Sequence, residues 1–345
     1  LNPRPGSGAG DPPPFGIIRG QVTSLGKLAD PNDQSSYDMA IVGTTSPYLF
    51  GGNPNPGEGS VVIGQGDYEI VSRIGDLSVV ALCGVYNETT ETFDPQFMAV
   101  ERYLVISDQN TYDVNLLCDI PLDQSLDVKL VNPIYNPEGP DNNVVEVYWD
   151  FGFEGYFSAP VRGQGLSDII NVPRLPALQG ELADVSFTVV GGSYTGFFSP
   201  YTETSIEDVT DTAQVLALPP LLDVPEPLSP LPGGVIVNRE IRWEARGPYF
   251  PDMSIVILRN SEGIPVWTFT VPGTQTSVRV PEFPDFSGLP VEQRPNPYAQ
   301  DQLFLTITSV RIPQFSYDTF TYEDFSGARW EAFSLSRWAV QFPTP

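Results

Sequence analysis

Apolar and polar residues alternate with a period of two along much of this chain, in short segments bounded by Gly, Pro, Asn and Asp. Such alternation places one set of side chains in a core and the other in solvent, which is the pattern of a half-buried β-strand. Clear cases are residues 16–22 (GIIRGQV), 67–70 (DYEI), 103–107 (YLVIS) and 112–117 (YDVNLL). Residues 77–83 (LSVVALC) are read as a further half-buried strand of this kind. Long amphipathic runs of helical period are missing, and only residues 209–218 are expected to form a short helical turn. The pattern predicts an all-β protein built of tandem β-sandwich modules.

The chain has 345 residues, room for two or three such modules. Residues 1–14 (LNPRPGSGAGDPPP) read as a flexible tether. Leu1 in place of Met suggests processing or trimming, and a tether at a processed end would suit a lipid-anchored protein, the anchoring Cys not being in this chain. Residues 15–130 carry Gly20-Gln21-Val22, then Gly66-Asp67-Tyr68-Glu69-Ile70, then residues 77–84 (LSVVALCG), then residues 114–122 (VNLLCDIPL). In that order they resemble the carboxypeptidase-regulatory, transthyretin-like β-sandwich of bacterial surface proteins. The resemblance covers about a third of the chain and implies a non-catalytic spacer or interaction module. Residues 23–65 depart from the pattern, being longer and rich in Gly, Pro and Asn. Within this module Gly66 and Gly84 are expected at turns, and Tyr68 is expected to close one end of the core with its hydroxyl at solvent.

Beyond this module lies a divergent repeat. Residues 172–178 (VPRLPAL) return as residues 280–286 (VPEFPDF), each copy after a short apolar strand and before a strong one. Upstream, residues 144–151 (VVEVYWDF) take the place that residues 240–245 (EIRWEA) take in the second copy. Two sandwiches of one plan are expected, at 131–218 and 235–345. Residues 219–234 (PPLLDVPEPLSPLPGG) read as an extended proline-rich linker. The last module resembles fibronectin type III-like and Ig-like sandwiches in its strand rhythm and in Trp243, which stands where those folds bury an aromatic on an early strand. Residues 330–342 (WEAFSLSRWAVQF) are expected to form a closing strand pair.

Composition narrows the function. The 43 acidic residues against 17 basic ones leave a net charge of −26, which repels phosphate backbones and excludes nucleic acid as a natural partner. Histidine is absent, which removes the usual general base, zinc ligand and triad partner. No G-x-S-x-G motif stands in for it. Glu323 and Asp324 adjoin on a strand and so face opposite sides, which does not make a dyad. No run of about 18 apolar residues marks a transmembrane helix. Cys83 and Cys118 are expected to pair if the chain is exported, two buried free thiols being the other reading.

Two aromatic clusters are candidate interface or ligand positions: Trp149, Phe151, Phe153 and Tyr156, and Tyr317, Phe320 and Tyr322. Alternation through residues 149–153 places Trp149, Phe151 and Phe153 on one side. Asp30, Asp33 and Asp38 offer hard oxygens for calcium but fail the EF-hand spacing, and solvated turn acids are the plainer reading. No cofactor is implied. The sequence therefore points to an exported, extracellular or cell-surface protein that is not an enzyme. Its expected partners are other envelope or surface proteins or further copies of itself. The alternative is a carbohydrate-binding surface protein using exposed aromatics.

Overall fold

The alternating segments fold as strands. A computed structural model describes residues 15–47, 59–134, 141–195, 200–245, 247–261, 263–281, 303–319 and 330–341, so the expected tether at 1–14 lies outside the described residues. The first module contains β1 (Phe15–Ser24), β2 (Ser36–Thr44), β3 (Ser60–Ile63), β4 (Gly66–Arg73), β5 (Gly75–Asn87), β6 (Thr92–Ile106), β7 (Thr111–Asp113), β8 (Leu116–Cys118) and β9 (Ile120–Pro121). One sheet has the order β4-β1-β7 with β8 also on β1, and the other has β3-β2-β5-β6-β9. Ile18, Val22, Tyr68, Ile70, Leu77, Val79 and Ala81 fill the space between them. Cys83 on β5 and Cys118 on β8 form a disulfide that joins the two sheets across this core.

Two expectations for this module change. Tyr68 is buried and its hydroxyl donates to the Val114 carbonyl at 2.8 Å instead of reaching solvent. Gly84 lies inside β5 at a bulge, where a Cβ would stand 2.1 Å from the Asp94 carbonyl oxygen, so close backbone approach and not a turn requires it.

The second set of strands is β10 (Gln124–Lys129), β11 (Asp141–Asp150), β12 (Tyr156–Ser158), β13 (Gly163–Gly165), β14 (Ile169–Leu175), β15 (Ser186–Thr195), β16 (Tyr201–Val209) and β17 (Leu216–Ala217). The third is β18 (Glu226–Ser229), β19 (Glu240–Glu244), β20 (Met253–Arg259), β21 (Pro265–Pro272), β22 (Ser277–Arg279), β23 (Leu303–Arg311) and β24 (Ala332–Val340). Each set has a three-stranded layer, β14-β10-β17 and β18-β19-β22 respectively. Facing layers come from one nine-stranded sheet, β12-β11-β15-β16-β24-β23-β20-β21 with β13 also on β11. From its two ends inward this sheet repeats one order, and the halves meet where β16 pairs with β24 over Tyr201–Thr204 and Ala332–Leu335. All-β sandwich layers are thus the architecture of the described residues.

Several expectations on these strands are corrected. β10 lies inside the span expected for the first module, yet it pairs with β14 and β17 of the second. Residues 144–151 and 240–245 are not equivalents, because β11 belongs to the long sheet and β19 to a three-stranded layer. Val172 and Val280 do occupy matching core positions, while 282–286 fall outside the described residues. Residues 209–218 are extended, not helical, and 332–340 form one strand rather than a pair.

Residues 219–234 are no free spacer. Leu221 and Leu222 are fully buried, and Glu226–Ser229 is a strand of the third module. Prolines lack N–H donors, so burying such a segment requires donors for its carbonyls. Side chains supply them: Thr202 donates to Leu222 O at 2.8 Å, Ser334 to Asp223 O at 2.8 Å, Asn132 to Leu221 O at 3.0 Å and Trp338 to Pro230 O at 3.2 Å.

Candidate interaction surfaces

The aromatic segment 149–157 forms the joint between the first two modules. Alternation along β11 aims Val145, Val147 and Trp149 inward, and Phe151 joins them in the core. Gly152 then takes a left-handed φ of 68° and opens a 3-10 turn over Gly152–Glu154, which ends the alternation. Phe153 is thrown outward, 69% exposed, contrary to the side expected for it, while Trp149 and Phe151 are core residues and not an exposed ligand platform. Tyr156 is partly buried, and its backbone pairs with Ser46 of the first module.

The same turn buries Glu154 completely. Its carboxylate accepts from Arg102 at 2.6 Å and 3.0 Å, from Ser78 Oγ at 2.6 Å and from the Tyr103 N–H at 2.6 Å. Arg102 also donates to Asp184 at 2.6 Å and lies over the rings of Tyr103 and Phe151. Burial opposes the Arg102 charge, but hydrogen bonds to Glu154 and Asp184 outweigh it and hold the guanidinium above its ordinary pKa. Arg102 and Tyr103 together hold the Asp184 carboxyl below its ordinary value. Asp94 and Arg174 close a second, bidentate link across the joint at 2.7 Å and 2.8 Å. Tyr103 and Phe153, centroids 6.1 Å apart, leave a small exposed aromatic rim beside it.

The outer face of the nine-stranded sheet carries a second group that the sequence does not bring together. Tyr148 donates to Glu146 at 2.8 Å, and Tyr201 donates to Glu203. Burial pushes the Glu203 carboxyl up to about 7; the Tyr201 hydrogen bond opposes that rise and the charge of Glu146 adds to it. Burial, and then the neighbouring carboxylate, also raise both tyrosines. Tyr194 and Phe333 flank Tyr201 with centroids 6.5 Å and 5.7 Å away. Each of these side chains alternates outward from its strand, but β11 and β24 lie far in sequence from the consecutive β15 and β16, so spacing along the chain does not gather them.

Tyr317 is 39% exposed, and its hydroxyl donates to the Thr270 carbonyl at 2.9 Å, against β21 at the end of the long sheet. Phe320, Tyr322, Glu323 and Asp324 lie outside the described residues. The three calcium candidates do not converge. Asp38 accepts from the Leu28 and Ala29 N–H groups, Asp30 from Asn32, and Asp33 from Ser35 and Ser36. Their oxygens close local turns, and no group of metal-ligating side chains forms among the described residues.

A third surface is the outer face of the layer β18-β19-β22. Arg242 and Arg279 project from it, with Glu240 across from Arg279, and Leu228 of β18 is exposed. A groove of ≈ 580 Å³ runs along β22, lined by Asn238, Glu240, Gln275, Ser277, Val278 and Arg279. Arginine beside apolar side chains is the composition that protein interfaces favour.

No family model and no curated protein matches the chain. Among solved structures, it is similar to the tip fimbrial protein Mfa3 of Porphyromonas gingivalis at 11% identity, over 56% of this chain and 81% of that one, with a TM-score of 0.17. A putative adhesin of Bacteroides ovatus is similar at 10% identity, over 53% and 74%, with a TM-score of 0.15. A point mutant of the major pilin of Streptococcus pyogenes is similar at 9% identity, over 78% and 93%, with a TM-score of 0.13. Likenesses at these TM-scores carry no argument about fold or function.

Proposed function

We propose that this chain is an exported, non-catalytic structural and interaction protein of a cell-surface or envelope assembly. The observation that carries the reading is the fusion of its sandwiches. A buried ion cluster at one joint and a continuous sheet at the other favour a stiff body whose free faces meet partners. The inter-sheet disulfide fits an oxidising compartment, and a chain without histidine lacks the commonest catalytic base. The plan proposed is a transthyretin-like module over about 15–121 followed by Ig/fibronectin III-like modules over about 124–217 and 226–341. For the latter, four strands facing three in a repeated order is the relevant feature. Fractionation of source cells with surface proteolysis tests the reading. The protein is expected to be protease-accessible on intact cells and to leave mild extraction in a large particle. Recovery from the cytosol as a lone monomer would overturn it.

The outward group of Tyr148, Tyr201, Glu146 and Glu203 favours carbohydrate binding as a second reading, since tyrosine rings stack on sugars and carboxylates accept from hydroxyls. Burial of Trp149, Trp243 and Trp338 removes three tryptophans from any such platform. A glycan array scored for loss of binding in Tyr148→Ala separates the two readings.

A further inference from the structure

Charge is distributed unevenly along this chain. Residues 1–218 hold 29 acidic against 8 basic residues, a net −21, whereas residues 219–345 hold 14 against 9, a net −5. Two copies that approach through their first halves repel strongly, so contact between copies is least opposed when it uses the third module of at least one of them.

Among the described residues, the first and third modules each present an uncovered sheet face for such a contact. On the third module, Arg242 and Arg279 stand out from β19 and β22, and Leu228 of the neighbouring β18 is exposed. Neither arginine forms an ion pair among the described residues, and with Glu226, Glu240 and Glu244 on the same layer the face carries a net charge of only −1. On the first module, the outer face of β4-β1 alternates Asp67, Glu69 and Val71 outward, opposite Gln21, Arg19 and Ile17. Val71 is 46% exposed, and Leu117 on β8, opposite Thr23, is 47% exposed. Arg19 is held by Asp113 at 2.8 Å, which leaves Asp67 and Glu69 as the acids of that face without an ion pair among the described residues.

We infer that the outer face of β18-β19-β22 docks the outer face of β4-β1 of a second copy, with Arg242 and Arg279 meeting Asp67 and Glu69. The contact joins two different faces, so it leaves one of each open at the ends and adds copies head to tail. It rests on the reading of the protein as an assembling structural chain and names the partner and polarity of that assembly.

Sedimentation velocity on the purified full chain tests this between about 20 mM and about 0.5 M salt, over which the screening length falls from roughly 20 Å to roughly 4 Å. The wild type is expected to form concentration-dependent oligomers at low salt that dissociate at high salt. Arg242→Glu/Arg279→Glu and, separately, Asp67→Lys/Glu69→Lys are each expected to weaken association by about tenfold or more. Mixing the two variants restores association, because each altered face then meets its complement. Far-UV circular dichroism and thermal melting matching the wild type show that both variants fold. A wild type that stays monomeric at low salt overturns the inference, as do variants that associate like the wild type or a mixture that stays monomeric. Cell fractionation stays independent of all these outcomes, so a failure of docking and a failure of surface location are told apart.

Discussion

A carboxylate with no solvent exposure costs several kcal/mol in desolvation unless every lone pair is met, and Glu154 meets that condition only through partners in the first module, across the joint from its own. Removing one partner strands the other, so Arg102→Ala is expected to cost about 3–5 kcal/mol in urea unfolding. The double variant Arg102→Met/Glu154→Leu should cost less than the sum of the single changes, since neither charge is then left alone. Cys83 and Cys118 enclose a sequence separation of 35, and on the chain-entropy model their bridge stabilises by about 3–4 kcal/mol. Reduction should lower the unfolding midpoint accordingly, whereas a Cys83→Ala/Cys118→Ala variant should be insensitive to reductant. Glu203 has the opposite sign from an ordinary ion-paired acid. Its folded pKa rises from 4.5 to about 7, so between those values the native state holds more protons than the unfolded chain. Its contribution to stability is therefore greatest in acid and declines as pH rises from about 4.5 to 7. Partial exposure brings the effect down to on the order of 1–2 kcal/mol. Glu203→Gln should flatten that slope and be more stable than wild type above pH 7, as read from melting temperatures across pH.

Among the elements, β5 bears on the most structure, because Leu77–Gly84 is buried without a break. Val79 and Ala81 face the first core, while Val80 and Leu82 face the core of the second module. Leu82→Ala should therefore cost about 2–4 kcal/mol although it leaves the first sandwich's own core intact, and denaturant titration of the full chain would read it. The strand itself was legible in the sequence, but its burial on both faces was not, because 77–83 read as a half-buried strand and the second module that covers its other face lies elsewhere in the chain. β1 and β4 were legible too, through alternation and the glycines at Gly20 and Gly66. The proline segment was not, because composition reports the donors it lacks and not the donors others provide. Thr202 and Ser334 satisfy its carbonyls from positions 20 and 111 residues away. Phe153 was misplaced for a local reason, since one left-handed glycine ended the alternation that assigned its side. Glu154 left a readable trace, a lone acid inside the apolar run FGFEGYF, but Arg102, which holds it, and Asp184, which shares that arginine, lie in other segments. The Tyr–Glu group left none, because strand pairing alone brings β11, β15 and β16 together.

At the scale of the molecule, the two joints are of different strength, and that difference sets how the chain comes apart. The first joint shares a hydrophobic core, a buried ion cluster and the Asp94–Arg174 pair. The second consists of four strand-paired positions between β16 and β24 with the proline segment laid across them, and the third module keeps a core of its own. Residues from β1 to β17 should thus unfold as one unit, and residues from β18 to β24 as another. Tryptophan reports the two unequally. Trp149 alone lies in the first unit, while Trp243, Trp267, Trp330 and Trp338 lie in the second. Fluorescence excited at tryptophan should follow chiefly the third module, whereas far-UV circular dichroism should register both units and show two transitions in denaturant. Reductant should move only the transition that fluorescence largely misses, because the disulfide lies in the first unit. Trp149→Phe should leave the fluorescence transition in place and remove its minor phase. Coincident transitions by both probes, shifting together on reduction, would mean that the β16–β24 seam couples the whole chain into one cooperative body. The head-to-tail contact would then load a single rigid unit instead of two linked ones.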